Sequence, residues 1–291
     1  MELRCSRLVA QLLFLSVLPL HGQVRYDANG HLELSQLEFP KLSTARLKAE
    51  WKGQSEIATA ILVGQDRNNY FFITAYHAIA PKGSAYTPEC GVHQADDPEG
   101  QNKPVVTLQF FTNRSRTVSA KISTFSDPST DLGVVVAPIS EVNPSIVSIP
   151  NFPHMQVASV QEGSAVHIIG NPAGGDWSIW FGTVRRTYSA GGDIHHFETN
   201  RDQSLVGGYS GGPVFNEKGK LIGMHTCTVQ SYGKALKMTE IVEQLQAWGL
   251  PTGALPFAPE SSDRKALNYE NPHGIQIGDS LFIEAHTESS S

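Results

Sequence analysis

Short apolar runs rich in β-branched and aromatic residues divide this chain, and this pattern limits the folds open to it more than any other feature. The runs cover residues 58–63, 70–75, 105–111, 117–122, 132–137, 165–169, 179–185, 213–215 and 221–226. Each run is bounded by Gly, Pro, Asn, Asp or Ser, the residues typical of turns. Many short strands joined by turns predict an antiparallel β-barrel or β-sandwich and argue against an all-helical bundle.

One segment near the C-terminal end has helical spacing instead. Within residues 238–248, Ile241, Leu245 and Trp248 share one face with polar residues between them, and Gly249 follows directly. We therefore predict a single C-terminal helix in an otherwise all-β chain.

Composition places the chain among ordinary globular proteins. It has 291 residues, of which 40% are hydrophobic and 17% charged. The formal net charge is −6 and no Lys/Arg-rich stretch stands out, which argues against nucleic acid as the main partner. Three cysteines are too few for a zinc ribbon. The histidines His167, His195 and His196 lack the spacing of converging metal ligands, so no metal is expected.

The N-terminal residues resemble a secretory signal peptide in composition. Arg4 and Arg7 precede an apolar run at residues 8–20, and small or polar residues follow. The run is shorter than the roughly 20 residues that a spanning helix needs. We expect a signal peptide at residues 1–22, a secreted or periplasmic protein, and no stable membrane association once the signal peptide is removed.

Removal of that segment leaves two cysteines, Cys90 and Cys227. An oxidising compartment allows a disulfide between them. Whether their Cα atoms lie close enough is a question for the structure.

A serine with glycines on both sides is the strongest chemical signal in the sequence. Residues 208–215 read GYSGGPVF. The glycines permit an unusual turn that leaves neighbouring N–H groups pointing at one spot. Such groups can hold the oxygen of a tetrahedral intermediate. Taken alone, the segment fits a Gly-rich surface turn equally well.

Two other segments favour the catalytic interpretation. His77 follows the apolar run at residues 71–75, and Asp131 precedes the run at residues 132–136. An isolated histidine is usually structural, and an aspartate at a strand entrance is usually a turn residue. All three residues in the order His77, Asp131, Ser210, each at the edge of an expected strand, are much harder to explain as unrelated structural residues.

These segments resemble those of the trypsin-like, chymotrypsin-fold serine peptidases. A Thr-Ala-x-His block ends at His77, an Asp-Leu-x-x-Val block begins at Asp131, and a Gly-x-Ser-Gly-Gly-Pro-Val block begins at Gly208. Residues 169–172 (IGNP) and 181–184 (FGTV) are similar to the Gly-Asn-Pro and following Gly-x-Val strands of the bacterial branch.

The resemblance implies two antiparallel six-stranded β-barrels with the active site in the crevice between them. His77 and Asp131 would come from the first barrel and Ser210 from the second. The N–H groups of Gly208 and Ser210 would form the oxyanion hole. The implied activity is hydrolysis of protein or peptide substrates through an acyl-enzyme, without metal or cofactor.

The extent of the resemblance and the composition of the segments before and after it divide the chain into four parts. We expect a signal peptide at residues 1–22, a lead-in or propeptide at residues 23–50, the peptidase domain at residues 51–250 and a polar tail at residues 251–291. The sequence leaves the oligomeric state open.

The expected pocket for the P1 side chain does not favour basic residues. The position six residues before Ser210 is Ser204 rather than a carboxylate. His225 stands where similar glutamyl endopeptidases have a histidine, which favours an acidic P1 residue, although Leu205 replaces their hydroxyl. A histidine that only packs is the alternative. The expected substrate-binding residues are Ser204, Leu205, His225, Thr226 and Thr228.

The residue before the nucleophile departs from the zymogens of this family. There an aspartate pairs with a newly released N-terminal ammonium, whereas this chain has Tyr209. A phenol is neutral at pH 7 and offers no carboxylate to an ammonium. We therefore expect activity that does not depend on N-terminal insertion.

Two other functions stay open. The glycines around Ser210 also fit the nucleophile elbow of α/β-hydrolases, with Asp263 and His273 following in the order of that fold. The elbow needs a helix after the serine, whereas residues 213–223 have the pattern of a hairpin. A catalytically silent, peptide-binding pseudoprotease would keep the barrels without turnover.

Overall fold

The computed structural model describes most of the chain between residues 25 and 283. The described residues are 25–26, 32–35, 39–86, 90–94, 102–142, 156–172, 175–188, 196–200, 205–229, 232–255 and 280–283. The expected signal peptide lies outside them. No helix in this described part is long and apolar enough to cross a membrane.

Two closed barrels of six antiparallel strands confirm the predicted all-β double-barrel fold. In chain order the strands are β1 (Arg25–Tyr26), β2 (Leu32–Ser35), β3 (Thr44–Trp51), β4 (Gln54–Gln65), β5 (Asn69–Ala75), β6 (Ala85–Tyr86), β7 (Val92–His93), β8 (Val105–Phe110), β9 (Asn113–Ile122), β10 (Leu132–Pro138), β11 (Ala165–Gly170), β12 (Ser178–Tyr188), β13 (His196–Asn200), β14 (Pro213–Asn216), β15 (Leu221–Val229), β16 (Tyr232–Lys237) and β17 (Ser280–Ile283).

The two barrels repeat one topology. The first closes in the order β3-β4-β5-β10-β9-β8, and the second in the order β11-β12-β13-β16-β15-β14. In each barrel the third strand therefore pairs with the sixth. Outside the barrels, β6 pairs with β7, and β2 pairs with both β1 and β17.

Alternation along the strands builds three apolar cores. On β4, Leu62 packs inside the first barrel, while Ile61 and Val63 face a core shared with the second barrel. On β5, Phe72 points inward and Ile73 outward in the same way. A third core fills the second barrel. Because these strands are buried on both faces, their sequences are nearly continuous apolar runs.

The helix α1 (Met238–Ala247) confirms the predicted C-terminal helix. Ile241, Val242 and Leu245 are fully buried and contribute to the core between the barrels. Gly249 ends the helix with a φ of 72°, a left-handed conformation that glycine adopts at little cost.

The first barrel begins at Thr44, whereas the sequence placed the start of the peptidase domain at residue 51. Strand β3 alternates the buried residues Ala45, Leu47 and Ala49 with partly or fully exposed charged residues. The inward side chains are mostly small and the outward ones are charged, so the segment has a polar composition. For this reason the sequence analysis assigned it to a lead-in segment rather than to a strand. The expected segment 23–50 therefore supplies one barrel strand.

The start of the expected polar tail packs on the first barrel. The N–H of Ala254 donates to the carbonyl oxygen of Val63 at 3.2 Å, and Leu255 is buried. The carbonyl of Pro251 lies against Gly64, where a Cβ atom would overlap it. Residues 251–255 thus belong to the folded domain.

Candidate active site

His77 and Asp131 meet because the strands that carry them are neighbours. Strands β5 and β10 pair with Ala75 opposite Leu132. The residues just after β5 and just before β10 therefore lie at the same end of the first barrel. There a 3₁₀ helix (Tyr76–Ile79) holds His77, and the N–H of Tyr76 donates to the carbonyl oxygen of Asp131 at 2.9 Å.

Asp131 occupies a left-handed backbone conformation with a φ of 64°. Such a φ is costly for a residue other than glycine and is found where the surrounding structure fixes it. Here the Asp131 N–H donates to the carbonyl oxygen of Pro128 at 3.2 Å, and the side chain of Asp127 holds Ser129 and Thr130 in the same turn. The turn keeps the Asp131 carboxylate buried beneath His77.

Ser210 lies on a loop, residues 205–212, that we call the serine loop. Its carbonyl oxygen accepts a hydrogen bond of 2.8 Å from the N–H of Thr59 on β4 of the first barrel. Gly211 follows with a φ of 80°, and a Cβ atom there would overlap the carbonyl oxygen of Thr59. The glycine therefore allows the serine to approach the other barrel closely.

Thr59 also binds the serine loop through its side chain. Its Oγ1 donates to the carbonyl oxygen of Gly208 at 2.9 Å and accepts from the Asn171 side chain at 3.0 Å. The hydroxyl of Thr74 donates to the Thr59 carbonyl at 2.7 Å. All these groups are buried between the barrels. The sequence analysis missed Thr59 and Thr74, because a threonine inside a predicted strand carries no motif.

The three side chains form one hydrogen-bonded line. His77 Nδ1 lies 2.8 Å from Asp131 Oδ2, and His77 Nε2 lies 3.0 Å from Ser210 Oγ. The N–H of His77 also donates to Asp131 Oδ1 at 2.8 Å. A carboxylate only accepts, so Nδ1 carries the proton and Nε2 is left to accept from the serine hydroxyl. This arrangement can remove the hydroxyl proton.

The charge of His77 is set by its surroundings. Burial opposes the imidazolium, but the charge and hydrogen bond of Asp131, with a smaller effect of Glu56, raise the pKa of His77 above its ordinary value. Glu56 Oε1 lies 3.9 Å from His77 Nε2. The sequence analysis missed Glu56, since an acidic residue at the exposed start of a strand gives no signal.

In the turn that carries Ser210, only some of the backbone N–H groups donate to backbone carbonyls of the described residues. The N–H of Gly211 donates to the carbonyl oxygen of His225, and that of Gly212 to the carbonyl oxygen of Tyr209. Among the described residues, the N–H groups of Gly208 and Ser210 donate to no backbone carbonyl. An oxyanion hole requires two N–H groups that are not used by backbone carbonyls.

Leu205 and His225 pack closely against Gly233 in the second barrel. A Cβ atom on Gly233 would lie 2.9 Å from Leu205 Cδ1 and 3.2 Å from His225 Cε1. His225 is 2% exposed, and its Nδ1 has no partner within the described part of the chain. Burial, with the charge of His77, lowers the pKa of His225 to about 3.

Of the other residues expected to bind the P1 side chain, Thr226 and Thr228 lie on β15. Thr226 is buried, and its hydroxyl donates to the carbonyl oxygen of Lys234 at 3.2 Å. Thr228 is exposed at the end of the same strand. Ser204 lies outside the described residues. Thr199, which the sequence analysis did not single out, donates from its hydroxyl to the Gly233 carbonyl at 3.4 Å.

Cys90 and Cys227 lie against each other. Their Cα atoms are 6.1 Å apart, within the range of about 4.4–6.8 Å that a disulfide spans. Cys227 belongs to β15 of the second barrel, whereas Val92, close to Cys90, donates its N–H to the carbonyl oxygen of Pro128 in the first. A bond between the two sulfurs would tie the barrels together.

His167 and Tyr209 are buried side chains that pack against their neighbours. His167 stacks on Phe215, with ring centroids 5.1 Å apart, and burial lowers its pKa to about 4. Tyr209 is buried against Gly170. In the described part of the chain, no group of three or more His, Cys, Asp or Glu residues is placed to hold a metal ion.

The segment after Ser210 is a strand rather than a helix. Strands β14 and β15 form the hairpin that the sequence predicted, with Val214 opposite Gly223. A nucleophile elbow leads into a helix, so the α/β-hydrolase alternative does not fit this fold. Asp263 and His273, which it would need, lie outside the described residues.

Comparison with known proteins gives one family and a set of similar folds. Residues 58–224 match the family model of the trypsin-like peptidase domain. The active form of the protease Rv3671c from M. tuberculosis is similar at 17% identity with a TM-score of 0.54, covering 76% of this chain and 88% of that one. No curated protein sequence matches.

Two further solved structures share the fold. The serine endoprotease from Yersinia pestis has 18% identity and a TM-score of 0.50, with 75% of this chain and 68% of that chain covered. The HtrA-type protease AlgW with tripeptide has 17% identity and a TM-score of 0.50, covering 74% of this chain and 64% of that chain. At these identities the likeness is one of fold.

Proposed function

The chain belongs to the trypsin-like peptidase family and is a serine endopeptidase, and on that premise we propose that Ser210 is its nucleophile, His77 its general base and Asp131 the carboxylate that orients the base. The observation that carries this proposal is the line of hydrogen bonds from Asp131 Oδ2 through both nitrogens of His77 to Ser210 Oγ, at 2.8 and 3.0 Å. Its substrates are proteins or peptides.

The geometry supports the following sequence of steps. Ser210 Oγ attacks the carbonyl carbon of the scissile peptide while His77 Nε2 takes the hydroxyl proton. His77 then returns this proton to the leaving amine as the C–N bond breaks, which leaves an acyl-enzyme on Ser210. A water molecule, deprotonated by His77, hydrolyses the ester. Throughout, Asp131 keeps the imidazole in one tautomer and stabilises the imidazolium.

The negative charge of the tetrahedral intermediate falls on the former carbonyl oxygen. We assign the N–H groups of Gly208 and Ser210 to this oxyanion, because neither is used by a backbone carbonyl in the described structure. One such donor contributes about 2.7–4 kcal/mol to transition-state stabilisation in a comparable enzyme. The hydrogen bonds from Thr59 and Asn171 to the Gly208 carbonyl fix the peptide unit between Gly208 and Tyr209, which lies between the two donors in the chain.

Covalent labelling tests this function against the pseudoprotease alternative. A fluorophosphonate probe should react stoichiometrically with the folded protein, and mass spectrometry should map the adduct to the peptide that contains Ser210. Heat-denatured protein is the control, since an isolated serine is a poor nucleophile. A folded protein that stays unlabelled would establish a catalytically silent binding module.

We further propose that the enzyme prefers an acidic P1 residue. The support is His225, which is buried against Gly233 and whose Nδ1 has no hydrogen-bond partner among the described residues, together with the resemblance of the sequence to glutamyl endopeptidases. The pKa of His225 is about 3 in the free enzyme, so the imidazole is neutral at pH 7. A P1 carboxylate would raise this pKa and draw a proton to the ring.

The P1 preference should therefore grow as the pH falls. We expect peptides with P1 Glu to be cleaved at least about fivefold better than those with P1 Gln near pH 6, with a smaller ratio at pH 8. The His225→Ala variant should lose the difference, and His93→Ala, at an exposed position on β7, should keep it. A cleavage profile without acidic P1 residues would remove the proposal.

Export is proposed on the composition of residues 1–22, and the two cysteines are consistent with it. In an oxidising compartment Cys90 and Cys227, separated by 137 positions in sequence, would form a disulfide between the barrels. We expect Cys90→Ala to lower the free energy of unfolding by about 2–5 kcal/mol. Denaturant unfolding of the exported protein checks this; equal stability of wild type and variant, with free thiols in both, would contradict it.

A further inference from the structure

Glu56, near the beginning of β4, places a second carboxylate beside His77. Its Oε1 lies 3.9 Å from Nε2, the ring nitrogen that faces Ser210, whereas Asp131 binds the other ring nitrogen. The Glu56 side chain is 41% exposed and that of His77 only 6%. This carboxylate therefore lies at the open, reacting edge of the imidazole.

The carboxylate of Glu56 is not neutralised by the neighbouring strand. Glu56 pairs with Ala49 of β3, so the charged neighbours Lys48 and Glu50 point to the opposite face of the sheet. Those two side chains bind each other at 2.7 Å. Within the described residues, the charged groups that act on Glu56 are His77 and Asp131.

The proposed mechanism determines which residue of a bound substrate lies next to Glu56. His77 Nε2 must donate its proton to the leaving amine, so that nitrogen lies within hydrogen-bond reach of Nε2. The leaving amine belongs to the residue that follows the scissile bond, P1′. Glu56, beside Nε2 and partly exposed, is therefore close to the P1′ residue.

We infer that Glu56 selects substrates with Lys or Arg at P1′, an inference that rests on the proposed roles of Ser210 and His77. A cationic side chain there would pair with a carboxylate whose one cationic neighbour in the described part of the chain is protonated His77. An acidic P1′ residue would meet the like charges of Glu56 and Asp131 and would be rejected. Burial raises the pKa of Glu56 and Asp131 raises it further, against the effect of His77; a substrate cation would relieve that repulsion.

The test compares peptides that differ only at P1′. Lys, norleucine and Glu provide a cation, an apolar chain of similar length and an anion. In the wild type we expect kcat/KM to be about fivefold higher for Lys than for norleucine, the effect of one partly exposed ion pair. Glu56→Gln should bring this ratio to about one, and Glu56→Lys should favour the Glu peptide.

Glu50→Gln is the matched control, because it removes an exposed carboxylate of the adjacent strand that points away from the site. It should keep the wild-type ratio. An unchanged ratio in Glu56→Gln would overturn the inference, and so would an equal loss for all three peptides, which would make Glu56 a positioning residue for His77. Failure of the proposed function looks different: Ser210→Ala would then cleave these peptides as well as the wild type does.

Discussion

Ser210→Ala is expected to lower kcat by about 10⁶-fold without unfolding the protein. In the proposed mechanism Ser210 Oγ is the atom that forms the acyl-enzyme, so the change removes the covalent route. In a comparable enzyme the loss of this residue alone costs about as much as the loss of the whole triad. A residual rate of about 10³–10⁴-fold over water comes from binding and from the oxyanion donors, which the variant retains.

The fold should tolerate this change, because the serine loop is held to the first barrel through the loop's own backbone atoms. The Ser210 carbonyl accepts from the N–H of Thr59, and the Ser210 hydroxyl itself is bonded to His77. Turnover of a peptide substrate and thermal unfolding of the same preparation provide the two measurements. Ser119→Ala, at an exposed position on β9, is the matched control and should keep full activity. Undiminished proteolysis in Ser210→Ala would remove Ser210 as nucleophile.

Much of the fold could be predicted from the sequence, because the barrels are built from strands that are buried on one or both faces. Alternation and turn residues mark such strands locally, and the helix α1 stands out by its different period. Strand β3 was the exception. Its inward residues Ala45, Leu47 and Ala49 are mostly small, and the charged residues between them hide the alternation in a polar composition.

The proposed triad could be predicted for a similar reason. His77, Asp131 and Ser210 each lie at the end of a strand in a short local motif, so the sequence marks them even though they come together only in the folded protein. Thr59 and Glu56 belong to no such local motif. Their importance comes from the path of β4 past the serine loop and the imidazole, which depends on how two barrels pack. Pairwise contacts between distant segments are not encoded in the local pattern of either segment.

Asp131→Asn should lower kcat by about 10⁴-fold, the second-largest effect we expect. An amide has the size of the carboxyl group, so the contact with the His77 N–H can persist. It lacks the charge that stabilises the imidazolium, and its NH₂ group can favour the wrong tautomer of the ring. Nε2 would then carry the proton and could no longer accept one from Ser210.

The same variant should change the pH profile in a defined direction. In the wild type the pKa of His77 is raised: burial lowers it, but Asp131 and Glu56 outweigh burial. The proposed mechanism needs neutral His77, so activity should be lost as the pH falls through this raised pKa. Without the charge of Asp131, burial dominates and the pKa drops. The acidic limb of kcat/KM should therefore move to lower pH, and the deficit should narrow in acid.

A neighbouring carboxylate supplies the matched control for that profile. Asp127→Asn alters the turn before Asp131 without removing the charge that touches the ring, because Asp127 binds Ser129 and Thr130 instead. Its acidic limb should stay close to that of the wild type even if the turn loosens. If Asp131→Asn keeps both the wild-type rate and the wild-type acidic limb, Asp131 is a structural turn residue. Another group would then orient the imidazole of His77.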